Sequence, residues 1–242
     1  GLLDDIFDLK PIIKLGFQIA AALIAIFVGQ VYLPSFTLPF GIMIDSIFVT
    51  GFISFVWIVG ITNAINLIDG LDGLSGGISF IVTCTVGVLG FFMGRRDICI
   101  LSLILAGSIL GFLKYNFHPA SIFMGDCGAL FLGYMIATIS LLGFKTTAFI
   151  TLGLPILMLF IPISDTIIAI IRRKLKGQKI SEADRSHLHH ILMYKLDLGH
   201  RNTVLILYAV TLLFGISAVV SYFDKTLGAV LVIILVFCAE IF

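Results

Sequence analysis

From residue 15 to residue 44 the chain carries no charged side chain. A helix crosses the hydrocarbon core with roughly 20 apolar residues, so this stretch is longer than one span. Pro34 and Pro39 break it into a helix followed by a loop. Comparable apolar runs recur along the chain, and hydropathy predicts eight spans, near 14–33, 47–67, 74–94, 98–117, 128–144, 147–171, 203–222 and 226–242. The runs do not alternate as the strands of a membrane β-barrel do. Composition agrees: 60% of the residues are hydrophobic and 12% charged, with a mean hydropathy of +1.17. A soluble domain is nearer about half and about a quarter. The expected fold is an all-α polytopic membrane protein, a single transmembrane domain over residues 1–242 with a polar loop at 172–202.

The basic residues orient this threading. One set of loops holds Lys10, Lys14, Lys114, Arg172, Arg173, Lys174, Lys176, Lys179, Arg185, Lys195 and Arg201, the other only Arg95, Arg96, Lys145 and Lys225. Eleven against four makes the first set cytoplasmic. The net charge of +1 points to no partner, and nothing calls for nucleic acid. Cys84, Cys99, Cys127 and Cys238 form no CxxC pair and are expected to be free, mostly buried thiols. Short polar loops without a retention signal suit a prokaryotic plasma membrane. No signal-peptide pattern opens the chain.

Carboxylates near hydrocarbon are costly, so those a membrane protein keeps tend to serve function. Asp4, Asp5, Asp8, Asp69, Asp72, Asp126 and the Asp165 end of its helix all fall on the cytoplasmic side of this threading. Asn63, Asn66, Asp69 and Asp72 recur every three residues and would share one face of a helix end. Gly70 and Gly73 allow a bend or a close approach to a ligand, although Asn, Asp and Gly are also ordinary turn residues. Asp4, Asp5 and Asp8 put three carboxylates within about one helical turn, where they call for a cation or a shared proton. They would equally suit a solvated helix N-terminus. Asp126, in Phe123-Met-Gly-Asp126, either binds a hard cation or caps the following helix. Asp165 either faces the site or pairs with a cation in the bundle. The run Ser186-His-Leu-His-His190 has no Cys or second His pair to make a structural zinc site. With Arg185 and the basic run Arg172–Lys176 nearby, it points to anionic phosphates, although such a run also serves topology and anionic lipid. His118 and His200 stand alone and carry no assignment.

In order along the chain, Asp4-Asp5-Ile-Phe-Asp8, Asn63–Gly73, Phe123-Met-Gly-Asp126, Pro162-Ile-Ser-Asp-Thr166 with Arg172-Arg173, and Ala183-Asp-Arg-Ser-His-Leu-His-His190 resemble the polyprenyl-phosphate N-acetylhexosamine-1-phosphate transferases, of glycosyltransferase family 4 type. The resemblance runs from Gly1 to about Arg201. The histidine pattern is similar to that of enzymes that start O-antigen, enterobacterial common antigen or wall teichoic acid linkage units from UDP-N-acetylglucosamine. The sister branch, the phospho-N-acetylmuramoyl-pentapeptide translocases, usually has three consecutive histidines, and Leu188 interrupts that run here. Ile191 stands where many relatives carry Arg, so one phosphate contact of the pattern is not carried over. Family members normally have about three more spans ahead of the double Asp. The chain, which opens without Met, is therefore expected to be the C-terminal part of a bundle of roughly eleven helices.

The resemblance implies transfer of N-acetylglucosamine 1-phosphate from UDP-N-acetylglucosamine to undecaprenyl phosphate, dependent on Mg²⁺ or Mn²⁺. Asp126 is the first choice of metal ligand, with Asp69 and Asp72 completing the metal and nucleotide site. Asn63, Asn66 and Asn116 offer amides to the substrate, and Phe123 a face for uracil. By resemblance Asp4 or Asp5 positions or deprotonates the lipid phosphate, and Arg185, His187, His189 and His190 hold the diphosphate and sugar. The partners implied are the UDP-sugar, the lipid phosphate and the bilayer, and a homodimer stays open. The rival readings are the muramoyl-pentapeptide branch and a cation-coupled transporter. Carboxylates at one membrane face rather than the midplane, and the lack of an inverted repeat, stand against the transporter.

Overall fold

The computed structural model describes residues 10–33, 35–37, 43–143, 154–175, 192–193 and 197–240. Their elements, in order, are α1 (Pro11–Phe27), a short antiparallel ribbon of β1 (Phe36–Thr37) and β2 (Met43–Ile44), then α2 (Ile47–Leu67), α3 (Leu74–Phe92), α4 (Arg96–Asn116), α5 (Gly125–Gly143), α6 (Leu154–Met158), α7 (Phe160–Leu175), α8 (Gly199–Phe223) and α9 (Lys225–Glu240). The chain is an all-α, multi-pass membrane protein. Among the described residues, α2, α3, α4, α5 and α8 are long and apolar enough to cross a membrane, while α1 and α9 are apolar but shorter. Eight full-length spans are thus not all seen. The one expected near 14–33 ends at Phe27, and Gln30 then turns with a positive φ of 54°. Within the span expected at 147–171, the described part breaks between Met158 and Phe160, beside Pro155 and Pro162.

The helix in the middle is α3, packed against α4, α5 and α8. Its apolar face is all but hidden: Leu74, Ile78, Val82 and Leu89 are at most 1% exposed. The outer helices behave as lipid-facing helices do, leaving Ile100, Leu103, Ile104 and Leu110 on α4 and Phe48 and Phe52 on α2 exposed. The interior also holds hydroxyls, which hydrocarbon would otherwise leave unpaired. Ser54 Oγ accepts the Leu33 N–H at 2.9 Å and donates to the Thr50 carbonyl, fixing the end of the α1 segment on α2. Trp57 Nε1 donates to Ser140 Oγ at 3.1 Å, tying α2 to α5. These two helices approach so closely that a Cβ on Gly133 would lie 2.7 Å from the Thr62 Cα.

Because α2 runs into α3 through a turn and α4 into α5 through a short loop, four helix ends meet at one end of the bundle. The start of α8 joins them there, since His200 bonds the α2–α3 turn. Lys14, near the start of α1, reaches the same end. The opposite end carries the exposed pair Arg95–Asp97 at the α3–α4 turn. Among the described residues Cys84, Cys99 and Cys127 are free thiols, as expected, but none is buried: Cys84 and Cys99 are partly exposed and Cys127 is exposed.

Candidate active site

The turn after α2 is set by Gly73, whose φ of 78° is left-handed and lets the chain reverse into α3. A side chain there would also meet Phe117 at 3.2 Å and the Tyr208 hydroxyl at 3.3 Å. Two side chains clamp this residue. The buried Asn116 accepts the Gly73 N–H at 3.0 Å, and its own amide donates to the Ile122 carbonyl at 2.9 Å. Tyr208 on α8 donates its hydroxyl to the Gly73 carbonyl. The turn 68–73 and the loop 117–124 are thereby held as facing walls.

Between those walls lies a cleft of about 300 Å³. One wall presents Asn66, Asp69, Gly70 and Asp72, the other Phe123, Met124 and Asp126. Asp126 lies in the first turn of α5, where the helix dipole favours an anion. Its Oδ2 accepts a 2.8 Å hydrogen bond from the Lys14 ammonium. Asp69 faces it electrostatically. Burial, and then the charge of Asp126, push the Asp69 carboxyl up to about 6. Asp72 is held the other way, below the usual carboxylate range, chiefly because His118 donates to it. His118 Nδ1 lies 2.9 Å from Asp72 Oδ2, and the Ala120 N–H donates to the same oxygen at 3.1 Å. Phe123 is 74% exposed at the cleft, leaving its ring face available.

The structure therefore brings Asn66, Asp69, Asp72, Asn116, Phe123 and Asp126 to one cleft. Their arrangement differs from a single helical face, because α2 ends at Leu67 and the two aspartates lie beyond it. Asn63 falls outside the cleft lining and forms a reciprocal amide pair with Gln18 on α1, at 2.5 and 3.3 Å. Asn116 has both ends of its amide committed to backbone, so it shapes the wall. Asp165 is buried on α7 and does not border the cleft. Asp4, Asp5, Asp8, Arg185, His187, His189 and His190 lie outside the described residues. Sequence reasoning missed His118 and His200, whose rings stack at 4.2 Å beside Asp72. It also read Lys14 only as a topological charge.

Two facing carboxylates, one of them burdened by the other's charge, make a site that favours a cation. All-oxygen ligands in a cleft open to solvent suit a hard divalent ion such as Mg²⁺ or Mn²⁺. Asp69 and Asp126 fit that role. Asp72 has one oxygen already filled by His118 and Ala120.

Comparison with known proteins places the chain in a family. The chain is 44% identical over 225 residues, 91% of its length, to the "Probable undecaprenyl-phosphate N-acetylglucosaminyl 1-phosphate transferase" of Bacillus subtilis (strain 168), and spans 62% of that protein. It is 36% identical over 239 residues to the "Undecaprenyl-phosphate alpha-N-acetylglucosaminyl 1-phosphate transferase" of Haemophilus influenzae, covering 93% of this chain and 66% of the relative. It is 33% identical over 259 residues to the "Decaprenyl-phosphate N-acetylglucosaminephosphotransferase" of Mycobacterium leprae, covering 96% and 64%. The chain thus spans a little under two thirds of the length of these relatives. Residues 1–144, which include both walls of the cleft, match the family described as Glycosyl transferase family 4, and the chain belongs to that family.

Proposed function

We propose that this protein transfers N-acetylglucosamine 1-phosphate from UDP-N-acetylglucosamine to undecaprenyl phosphate, at the cytoplasmic face of a prokaryotic plasma membrane. One observation carries this reading: Asp69, in the turn after α2, and Asp126, in the first turn of α5, converge on one cleft at the end of a membrane bundle. The names of the Bacillus and Haemophilus relatives support the sugar and the lipid. The count of basic residues supports the orientation.

In the reaction an oxygen of the lipid phosphate forms a bond to the phosphorus that bears the sugar. The bond from that phosphorus to the oxygen shared with the nucleotide breaks, and UMP leaves with the oxygen. Every reacting group is an anion, so the site must gather positive charge and fix geometry. Asp69 and Asp126 would hold Mg²⁺ or Mn²⁺, which when bound neutralises the diphosphate and the charge developing on UMP. Lys14 adds a cationic group beside Asp126. Phe123 offers its exposed ring to the uracil. Asn66 borders the cleft with an amide. Asp4 or Asp5 positions the lipid phosphate. That phosphate is already mostly dianionic near neutral pH, its second pKa being about 6, so it needs placement more than deprotonation. Arg185, His187, His189 and His190 hold the diphosphate and sugar, and the lipid tail lies against the apolar helices.

The test is UMP release from the purified full-length protein with undecaprenyl phosphate, Mg²⁺ and one of two donors. Release with UDP-N-acetylglucosamine and not with UDP-N-acetylmuramoyl-pentapeptide is expected. Release only with the second donor moves the protein to the sister branch, and release with neither overturns the reading.

A further inference from the structure

We propose that His118 and His200 are positioning residues that hold Asp72 as a hydrogen-bond acceptor for the nucleoside half of the donor, outside the ligand set of the metal. This rests on the nucleotide-sugar reading above and deepens it.

The three residues form a closed hydrogen-bond set joining three separate pieces of chain. The Asp72 N–H donates to His200 Nε2 at 3.1 Å, so that nitrogen is unprotonated. An ionised carboxylate can only accept, so His118 donates from Nδ1 to Asp72 Oδ2. The Ala120 N–H fills the same oxygen. Backbone and side chain of Asp72 are therefore both fixed, one by the start of α8 and the other by the loop 117–124. The two imidazoles stack at 4.2 Å, which sets the spacing between those pieces. Asp72 Oδ1 accepts no hydrogen bond among the described residues, and Asp72 borders the cleft.

The same three residues have the composition of a transition-metal site, with ligand atoms within 4.8 Å of one another. Their hydrogen bonds argue against that use. A metal on His200 Nε2 would take the acceptor from the turn N–H, and a metal on His118 Nδ1 would displace its proton. The second nitrogen of His200, Nδ1, carries the ring proton and is buried with no hydrogen-bond partner among the described residues.

Position decides what the braced carboxylate serves. Asp69 is coupled to Asp126, whereas the groups that act on Asp72 are His118, His200 and Ala120. Asp72 is fastened three residues before Phe123, on the loop that offers the exposed ring. A carboxylate oxygen beside an aromatic face matches a nucleoside, which stacks by its base and donates from an imide N–H or ribose hydroxyls.

The test measures binding and stability rather than turnover, using the full-length protein in detergent. UMP affinity is read by calorimetry and Mn²⁺ affinity by electron paramagnetic resonance, for wild type, His118→Ala, His200→Ala and His118→Asn. The alanine variants are expected to weaken UMP about tenfold or more while Mn²⁺ affinity changes less than about twofold. His118→Asn, whose amide nitrogen can replace the Nδ1 donor, recovers most of the loss. Unchanged UMP affinity, or a parallel loss of Mn²⁺ affinity, overturns the proposal, as does stoichiometric Zn²⁺ bound by wild type and lost in both alanine variants. A double-mutant cycle of His118→Ala with Asp72→Asn in thermal unfolding reads the brace without any donor. Coupled losses support it and additive ones overturn it. If wild type binds no UMP, the nucleotide-sugar reading fails with the nucleoside assignment, while the cycle still decides the brace.

Discussion

The ammonium of Lys14 on α1 lies 2.8 Å from Asp126 Oδ2 at the start of α5. A cation thus already neutralises the carboxylate best placed to hold the metal. Under the proposed function, a metal held by Asp126 would compete with Lys14 for this carboxylate.

Lys14→Met is therefore expected to bind Mn²⁺ more tightly in the absence of donor, by about threefold or more, while binding UDP-sugar more weakly. Both partners are about a quarter exposed, so stability should change by less than about 1 kcal/mol. Titration of Mn²⁺ and thermal unfolding check the two halves. Weaker Mn²⁺ binding in the variant would mean that Lys14 supports the site instead of competing for it.

Asp69 gives the site a pH dependence. Its carboxyl is raised from 3.8 to about 6 by burial and by Asp126, so the folded protein keeps a proton there that the unfolded chain has lost. The stability this proton confers is full below 3.8 and is lost as pH rises through about 6. Under the proposed function a metal on Asp69 would have to displace the same proton. Mn²⁺ affinity should be flat above pH 7 and fall about tenfold per unit below about 6, and Asp69→Asn should flatten the profile as well as weaken binding. A profile unchanged in that variant assigns the proton to another group.

Asn116 tests the difference between a wall and a ligand. Its amide satisfies the Gly73 N–H and the Ile122 carbonyl, and each orphaned group costs about 1–3 kcal/mol. Asn116→Ala should destabilise the protein by about 2–3 kcal/mol, seen as a lower Tm with or without donor. A variant with wild-type Tm and a raised KM would show that the amide contacts substrate.

These residues also show what the sequence makes legible. Asp69 and Asp126 are readable because a carboxylate at the end of an apolar run has few structural uses, and both line the cleft. Asn116 and Asn63 look the same in sequence, yet one clamps a turn and the other pairs with Gln18. An amide gives no hint whether its partner is backbone, side chain or substrate. His118 and His200 are invisible because Asp72 lies 46 residues from one and 128 from the other. No periodicity spans such gaps: the packing of α4 on α3 closes the first and that of α8 on α3 the second. Hydropathy located the helices well but not their ends. It cannot see that the α1 segment turns at Gln30, or that Met158 and Phe160 belong to separate helices.

In the proposed function Asp69 and Asp126 hold the metal that permits phosphosugar transfer. The most direct measurement compares wild type and Asp126→Asn in proteoliposomes, following sugar transfer to undecaprenyl phosphate and UMP release with Mg²⁺ or with chelator. Wild type should turn over only with the metal, and Asp126→Asn should be nearly silent while remaining folded and inserted. Activity in Asp126→Asn within about tenfold of wild type, roughly 1.4 kcal/mol, or turnover by wild type in chelator, would contradict it.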